Sequence, residues 1–85
     1  MDQLRILGIQ VTDRIKEAGS AQKVLTRYAD NVRTRLGFHE LTDATCSRTG
    51  FIIIELCGDD AKQNSLKKEL ESIGGLNVKE MLFHL

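Results

Sequence analysis

Phe51-Ile52-Ile53-Ile54-Glu55-Leu56-Cys57 is the stretch on which the fold turns. Its β-branched run is stiff at χ1, poor in a helix and suited to the interior of a sheet, so it predicts a central strand. Beyond it, Gly58-Asp59-Asp60 turns the chain and sets acidic residues at the positive N-terminal end of a helix whose apolar stripe is Leu66, Leu70 and Ile73. Gly74-Gly75 supplies a left-handed cap, and Leu76 to Phe83 resumes an extended pattern. On the N-terminal side, a polar connection from Thr42 to Gly50 leads back to Val32, Thr34, Leu36 and Phe38, which alternate with Arg33, Arg35, Gly37 and His39 as a half-buried strand does. Before that strand, Ala21, Val24, Leu25, Tyr28 and Ala29 fall on one helical stripe, with Ser20 as the predicted N-cap. Leu4 to Val11, rich in Ile, Leu and Val, reads as the first strand.

The order is βαββαβ in a single domain spanning residues 1–85. Two right-handed β-α-β crossovers on one antiparallel sheet give an α+β, ferredoxin-like arrangement, sheet order 4-1-3-2, with both helices on one face. The uncovered face of such a sheet is polar in a monomer. Here Leu7, Ile9 and Val11 with Ile52, Ile54 and Leu56 take the helix side, yet the far side still carries Leu4, Ile6, Phe51 and Ile53, joined by Met81 and Phe83 or else by Leu82. An apolar patch of that kind marks an interface and predicts a homodimer or homotetramer, built through the sheet face and edge.

Composition narrows the function. A chain of 85 residues buries only about 60–65% of its unfolded surface, so association is expected to support it. Lys plus Arg is 12 and Asp plus Glu is 12, and a zero formal charge removes the general attraction on which nucleic-acid binding rests. No membrane span and no export leader are evident, and two cysteines, Cys46 and Cys57, make no disulfide framework. The expectation is a cytoplasmic protein with reduced thiols, without direct nucleic-acid or membrane partners.

Catalytic signatures are absent: no nucleophile beside a base, no close carboxylate pair in an apolar setting, no G-x-x-x-x-G-K loop. An enzyme is not expected, and no cofactor is implied. The stacking aromatics of RNA-recognition domains are missing apart from Phe51, as is the C-x-x-C of metal chaperones with this topology. Two constellations remain. The connection Thr12 to Ser20 ends, on this reading, at a helix N-terminus where Gly19 and Ser20 offer backbone N–H groups to a carboxylate or phosphate. On the far face, Arg35 lies opposite Glu55 and His39 opposite Phe51 if the hairpin centres near Thr45. Arg35 then supplies a fixed positive fork. The candidate ligand-binding set is Gly19, Ser20, Arg35, His39 and Glu55, for a small carboxylate or an amino acid. The alternatives are a metal sensor or carrier using His39 and Cys46, and an oligomerisation or partner-binding domain without ligand.

The blocks Ile6-Leu7-Gly8-Ile9-Gln10-Val11-Thr12-Asp13-Arg14, Lys23-Val24-Leu25-Thr26-Arg27-Tyr28, Thr34-Arg35-Leu36-Gly37-Phe38-His39-Glu40 and Val78-Lys79-Glu80-Met81 resemble the iron-only hydrogenase system regulators over nearly the whole chain. The resemblance implies an ACT-like fold, similar to the C-terminal domain of nickel-responsive repressors, and a regulatory, transcription-related role near hydrogenase maturation. Those repressors use several histidines and one cysteine for nickel, whereas this sequence offers His39 and Cys46 in the comparable region. They also carry a separate DNA-binding segment, so a transcriptional effect here needs a partner protein.

Overall fold

β3, Cys46–Leu56, lies inside a four-stranded antiparallel sheet of order β2-β3-β1-β4, flanked by β1 (Gln3–Val11) and β2 (Val32–Leu41). The outer strand on the other side of β1 is β4 (Leu76–His84), and the helices are α1 (Arg14–Arg27) and α2 (Asp60–Glu71). This computed structural model describes residues 2–41 and 46–85, without the side chains of residues 14, 38–41 and 46–48. The order is the expected ferredoxin-like one.

β1 and β3 pair without a register shift, Leu7 opposite Ile54 and Ile9 opposite Ile52. Directly opposed residues share a face. The odd positions of β1 and the even positions of β3 therefore turn toward the helices. Leu7, Ile9, Val11, Ile54 and Leu56 are buried there against Val24 and Leu25 of α1 and Leu66 and Leu70 of α2. Burying one such side chain contributes about 1.5–3 kcal/mol, so these nine side chains carry the domain. Arg27 and Tyr28 both reach Glu69, which ties the end of α1 to α2.

Two boundaries differ from the sequence reading by five or six residues. α1 begins at Arg14 rather than at Ser20, because Asp13 is the stronger cap: its carboxylate accepts from the N–H of Ile15 at 3.1 Å and of Lys16 at 3.4 Å. Glu17 accepts from the Asp13 N–H at 3.1 Å, one residue beyond the capping-box position but to the same effect. Gly19 and Ser20 thus sit in the helix interior. β3 begins at Cys46, so the second half of the expected polar connection, from residue 46 to Gly50, is strand.

The corner where β1, β4 and α2 meet is held by charge. Arg5 donates to Glu80 at 3.0 and 3.2 Å and to Asn64 at 2.8 Å, and Lys67 lies 3.2 Å from the same Glu80 oxygen. Burial alone would raise the Glu80 pKa, but the hydrogen bonds from Arg5 and Lys67 outweigh it and hold the carboxyl below its usual range. A carboxyl depressed in the folded state stabilises above its unfolded pKa and loses that contribution as pH falls through the folded value.

Glu80→Gln should lower stability at pH 7 by up to about 1 kcal/mol, and the gap to the parent chain should close below about pH 4, read from urea melts across pH. Gly75 has φ +87°, and a Cβ there would lie 2.3 Å from the Glu17 carboxylate, whereas one on Gly74 meets nothing within 4 Å. Gly75→Ala should therefore cost about 1–2 kcal/mol, while Gly74→Ala leaves the melt unchanged or slightly improved.

Candidate functional site

The face of the sheet away from the helices is assembled in rows by strand register. Leu36, Ile53, Gly8 and Lys79 form one row, and Thr34, Glu55, Ile6 and Met81 the next. Phe51, Gln10 and Asn77 lie on one side of these, and Leu4 with Phe83 on the other. Met81 and Phe83, not Leu82, therefore join the apolar face. Leu36 on the edge strand β2 is 57% exposed, and Ile53 on the interior strand β3 is 38% exposed, a large value for the middle of a sheet.

At the centre of this face Gly8 has no side chain, and a Cβ built on it meets nothing within 4 Å. The gap is a cavity of about 250 Å³ whose floor and walls come from Gly8, Phe51 and Ile53 and whose rim is Gln10, Asn77 and Lys79. Asn77 Nδ2 donates to Gln10 Oε1 at 3.4 Å across the β1–β4 pair. Among the described residues Lys79 makes no ion pair. Its ammonium is thus the positive charge that the cavity offers to solvent.

The residues expected from sequence do not converge. Two residues of β2, Val32 and Thr34, meet the successive residues Leu56 and Glu55 of β3, so Arg33 is an extra residue in a β-bulge. One extra residue flips every later side chain to the opposite face. Arg35 therefore stands opposite Ile54 on the helix side, where it hydrogen-bonds Gln22 of α1 and lines a groove with Leu25, Thr26, Ala29 and Val32. Glu55 stays on the uncovered face but is held by Arg33 at 3.0 Å and by the Thr34 hydroxyl at 3.1 Å. The expected Arg35–Glu55 pair is replaced by Arg33–Glu55. Gly19 and Ser20 are exposed on α1, away from any helix end. His39 stands opposite Gly50 in the backbone ladder rather than Phe51, and the side chains of His39 and Cys46, like the hairpin centre at Thr45, lie outside the described residues. Cys57 has left the strand, its Sγ 3.6 Å from the Asp30 carbonyl.

Sequence reasoning missed Gly8 and Lys79. The available signal was a lone glycine inside an apolar strand, which marks a bulge or a place where something approaches the backbone closely. It also missed the buried polar turn in which Asn31 donates to the Cys57 carbonyl at 3.1 Å and Gln63 to the Gly58 carbonyl at 3.0 Å. No three His, Cys, Asp or Glu side chains converge among the described residues, and none of the described helices is long and apolar enough to cross a membrane.

No family model matches the chain, and no curated protein matches it. Solved structures do. The uncharacterized protein TM1266 from Thermotoga maritima superposes with a TM-score of 0.79 at 23% identity, covering 98% of this chain and 99% of that one. CPII from Thiomonas intermedia K12, a nitrogen regulatory PII-like protein, gives 0.58 at 16% identity over 98% and 91%. A formyltetrahydrofolate deformylase from Pseudomonas putida KT2440 gives 0.57 at 14% identity, and the matched region is 28% of that enzyme. At these identities the likeness establishes the fold: the chain is a ferredoxin-like α+β domain.

Proposed function

We propose that this chain is a regulatory module that senses a small ligand, performs no chemistry of its own and works as a homo-oligomer. The observation that carries the reading is the Gly8 cavity, set in an apolar sheet face that the helices leave uncovered. At about 250 Å³ it lies just below the usual range for small-molecule sites, which suits an effector of amino-acid size and is small for a dinucleotide. Its chemistry selects further. Phe51 and Ile53 receive an apolar body, Gln10 and Asn77 offer hydrogen bonds, and Lys79 supplies the positive charge for a carboxylate. The effector class is the one expected from sequence, with Lys79 in the role assigned to Arg35.

CPII has also been solved with ADP, AMP and acetate bound, and a regulatory domain of this fold holding small anions is the kind of behaviour proposed here. The resemblance to the iron-only hydrogenase system regulators gives the reading its setting, the control of hydrogenase maturation through a partner protein.

A thermal-shift screen with amino acids, acetate and longer carboxylates, AMP and ADP tests it. A probe that binds only the native state at a hundred times its Kd adds about 2.7 kcal/mol, and each kcal/mol moves the midpoint of a domain this size by about 4–8 °C. Gly8→Val should fold at least as well as the parent chain, since the added side chain enters open space in a strand. It should abolish the shift, and Lys79→Ala should cut it for carboxylates. A shift that survives Gly8→Val unchanged, or no shift from any probe, refutes the reading.

A further inference from the structure

The two edges of the sheet are not alike. β2 carries register shifts near both ends, the bulge at Val32/Thr34 and another at His39/Leu41, and it bears Arg33 and Arg35. Bulges and positive side chains are the devices by which sheets keep other chains from pairing with an edge. β4 has less of this protection: it carries no bulge, and Lys79 is its one positive side chain on the open face. It pairs with β1 without a register shift from Gln3 opposite His84 to Val11 opposite Leu76, contains no proline, and among the described residues has no strand on its outer side. Of its two central charges, Glu80 is turned inward to Arg5 and Lys67, leaving Lys79 alone.

Met81, Leu82 and Phe83 follow one another in this strand and are 51%, 43% and 51% exposed. Successive residues of a strand point to opposite faces. A molecule stacked on the uncovered face therefore reaches Met81 and Phe83 but not Leu82, which lies on the helix side. Only a strand added along the edge makes β4 an interior strand and shelters both sides at once. Interior strands are apolar on both faces, as β3 is, and the C-terminal half of β4 has that composition.

We infer that β4 pairs antiparallel with β4 of a second copy about a two-fold axis, giving one continuous eight-stranded sheet. The inference rests on the homo-oligomer reading and specifies its interface. Charge selects the register, since like charges directly opposed are unfavourable. An axis at Lys79 or at Glu80 sets each against its own copy, and an axis at Val78 leaves Leu82 and Phe83 without a facing strand. An axis at Met81 gives a longer ladder than one at Leu82. It places Met81 opposite the partner's Met81, Leu82 opposite the partner's Glu80, and Phe83 opposite the partner's Lys79, where cation and ring attract.

The test uses the full chain with Cys46→Ser and Cys57→Ser, and single cysteines at residue 81 or 82. Opposed residues in an antiparallel ladder have Cα atoms about 4.5–5.5 Å apart, within disulfide range. The diagonal from Leu82 to the partner's Leu82 exceeds the roughly 7 Å limit in this register. Analytical ultracentrifugation should show a dimer or a multiple of it. Mild oxidation should cross-link M81C nearly completely and L82C little, and Met81→Lys should weaken self-association at least tenfold while the circular-dichroism melt stays cooperative. A dimer in which M81C does not cross-link and Met81→Lys changes nothing overturns the β4 interface and leaves the oligomer reading standing. A chain that is monomeric at every concentration overturns both, and frees the edge for a strand of another protein.

Discussion

The pairing of β1 with β3, Leu7 against Ile54 and Ile9 against Ile52, is the interaction from which the other features follow. Both strands are interior and apolar on both sides, but two short helices can cover one side only. The described residues form no further layer, and at 85 residues roughly a third or more of the surface exposed by unfolding stays in water. What is left over is an apolar sheet face. The Gly8 cavity, the exposed Leu36 and Ile53, and the apolar end of β4 are three expressions of that one surplus.

How far the sequence revealed this depended on whether a local pattern had competitors. β3 was legible because a run of Ile with flanking turn residues has no good alternative, and β4 because Gly75 must end what precedes it. α1 was read six residues short. Gly19 and Ser20 look like a break, since a helical glycine costs about 1 kcal/mol against alanine. Asp13 and Glu17 repay that loss at the true start by satisfying backbone donors, and the half-buried Ala18 lies on the same stripe as the buried Ala21 and Leu25. A cap is recognised by where its carboxylate reaches, which residue spacing does not encode.

β2 failed in a different way. Its alternation holds from Thr34 to His39 but breaks at Arg33, and alternation fixes only relative sidedness. The bulge at Arg33 adds one residue without altering the composition around it, and this carries Arg35 to the helix face and Leu36 to the open one. A candidate site that depended on Arg35 facing Glu55 could not survive a one-residue slip. The replacement contacts, Arg33 and Thr34 on Glu55, are the ones a bulge produces by sending two neighbouring residues toward a single partner. Gly8 carried a legible signal of another kind, and it lay in the strand whose register never shifts.

The cavity and the edge are not independent features, because β4 builds part of each. Asn77 and Lys79 form one rim of the cavity from the open side of β4, and Lys79 also stands opposite the partner's Phe83 in the inferred ladder. A carboxylate that draws the Lys79 ammonium over the cavity changes what that residue offers to the neighbouring strand. Ligand binding and self-association then share a side chain, and their coupling is reciprocal: whatever factor the effector imposes on association, association imposes on the effector's affinity. No large conformational change is needed for such a device. On this proposal, a marginal domain whose open β4 edge is joined by its own copy would register a small molecule as a change in how firmly the copies hold together.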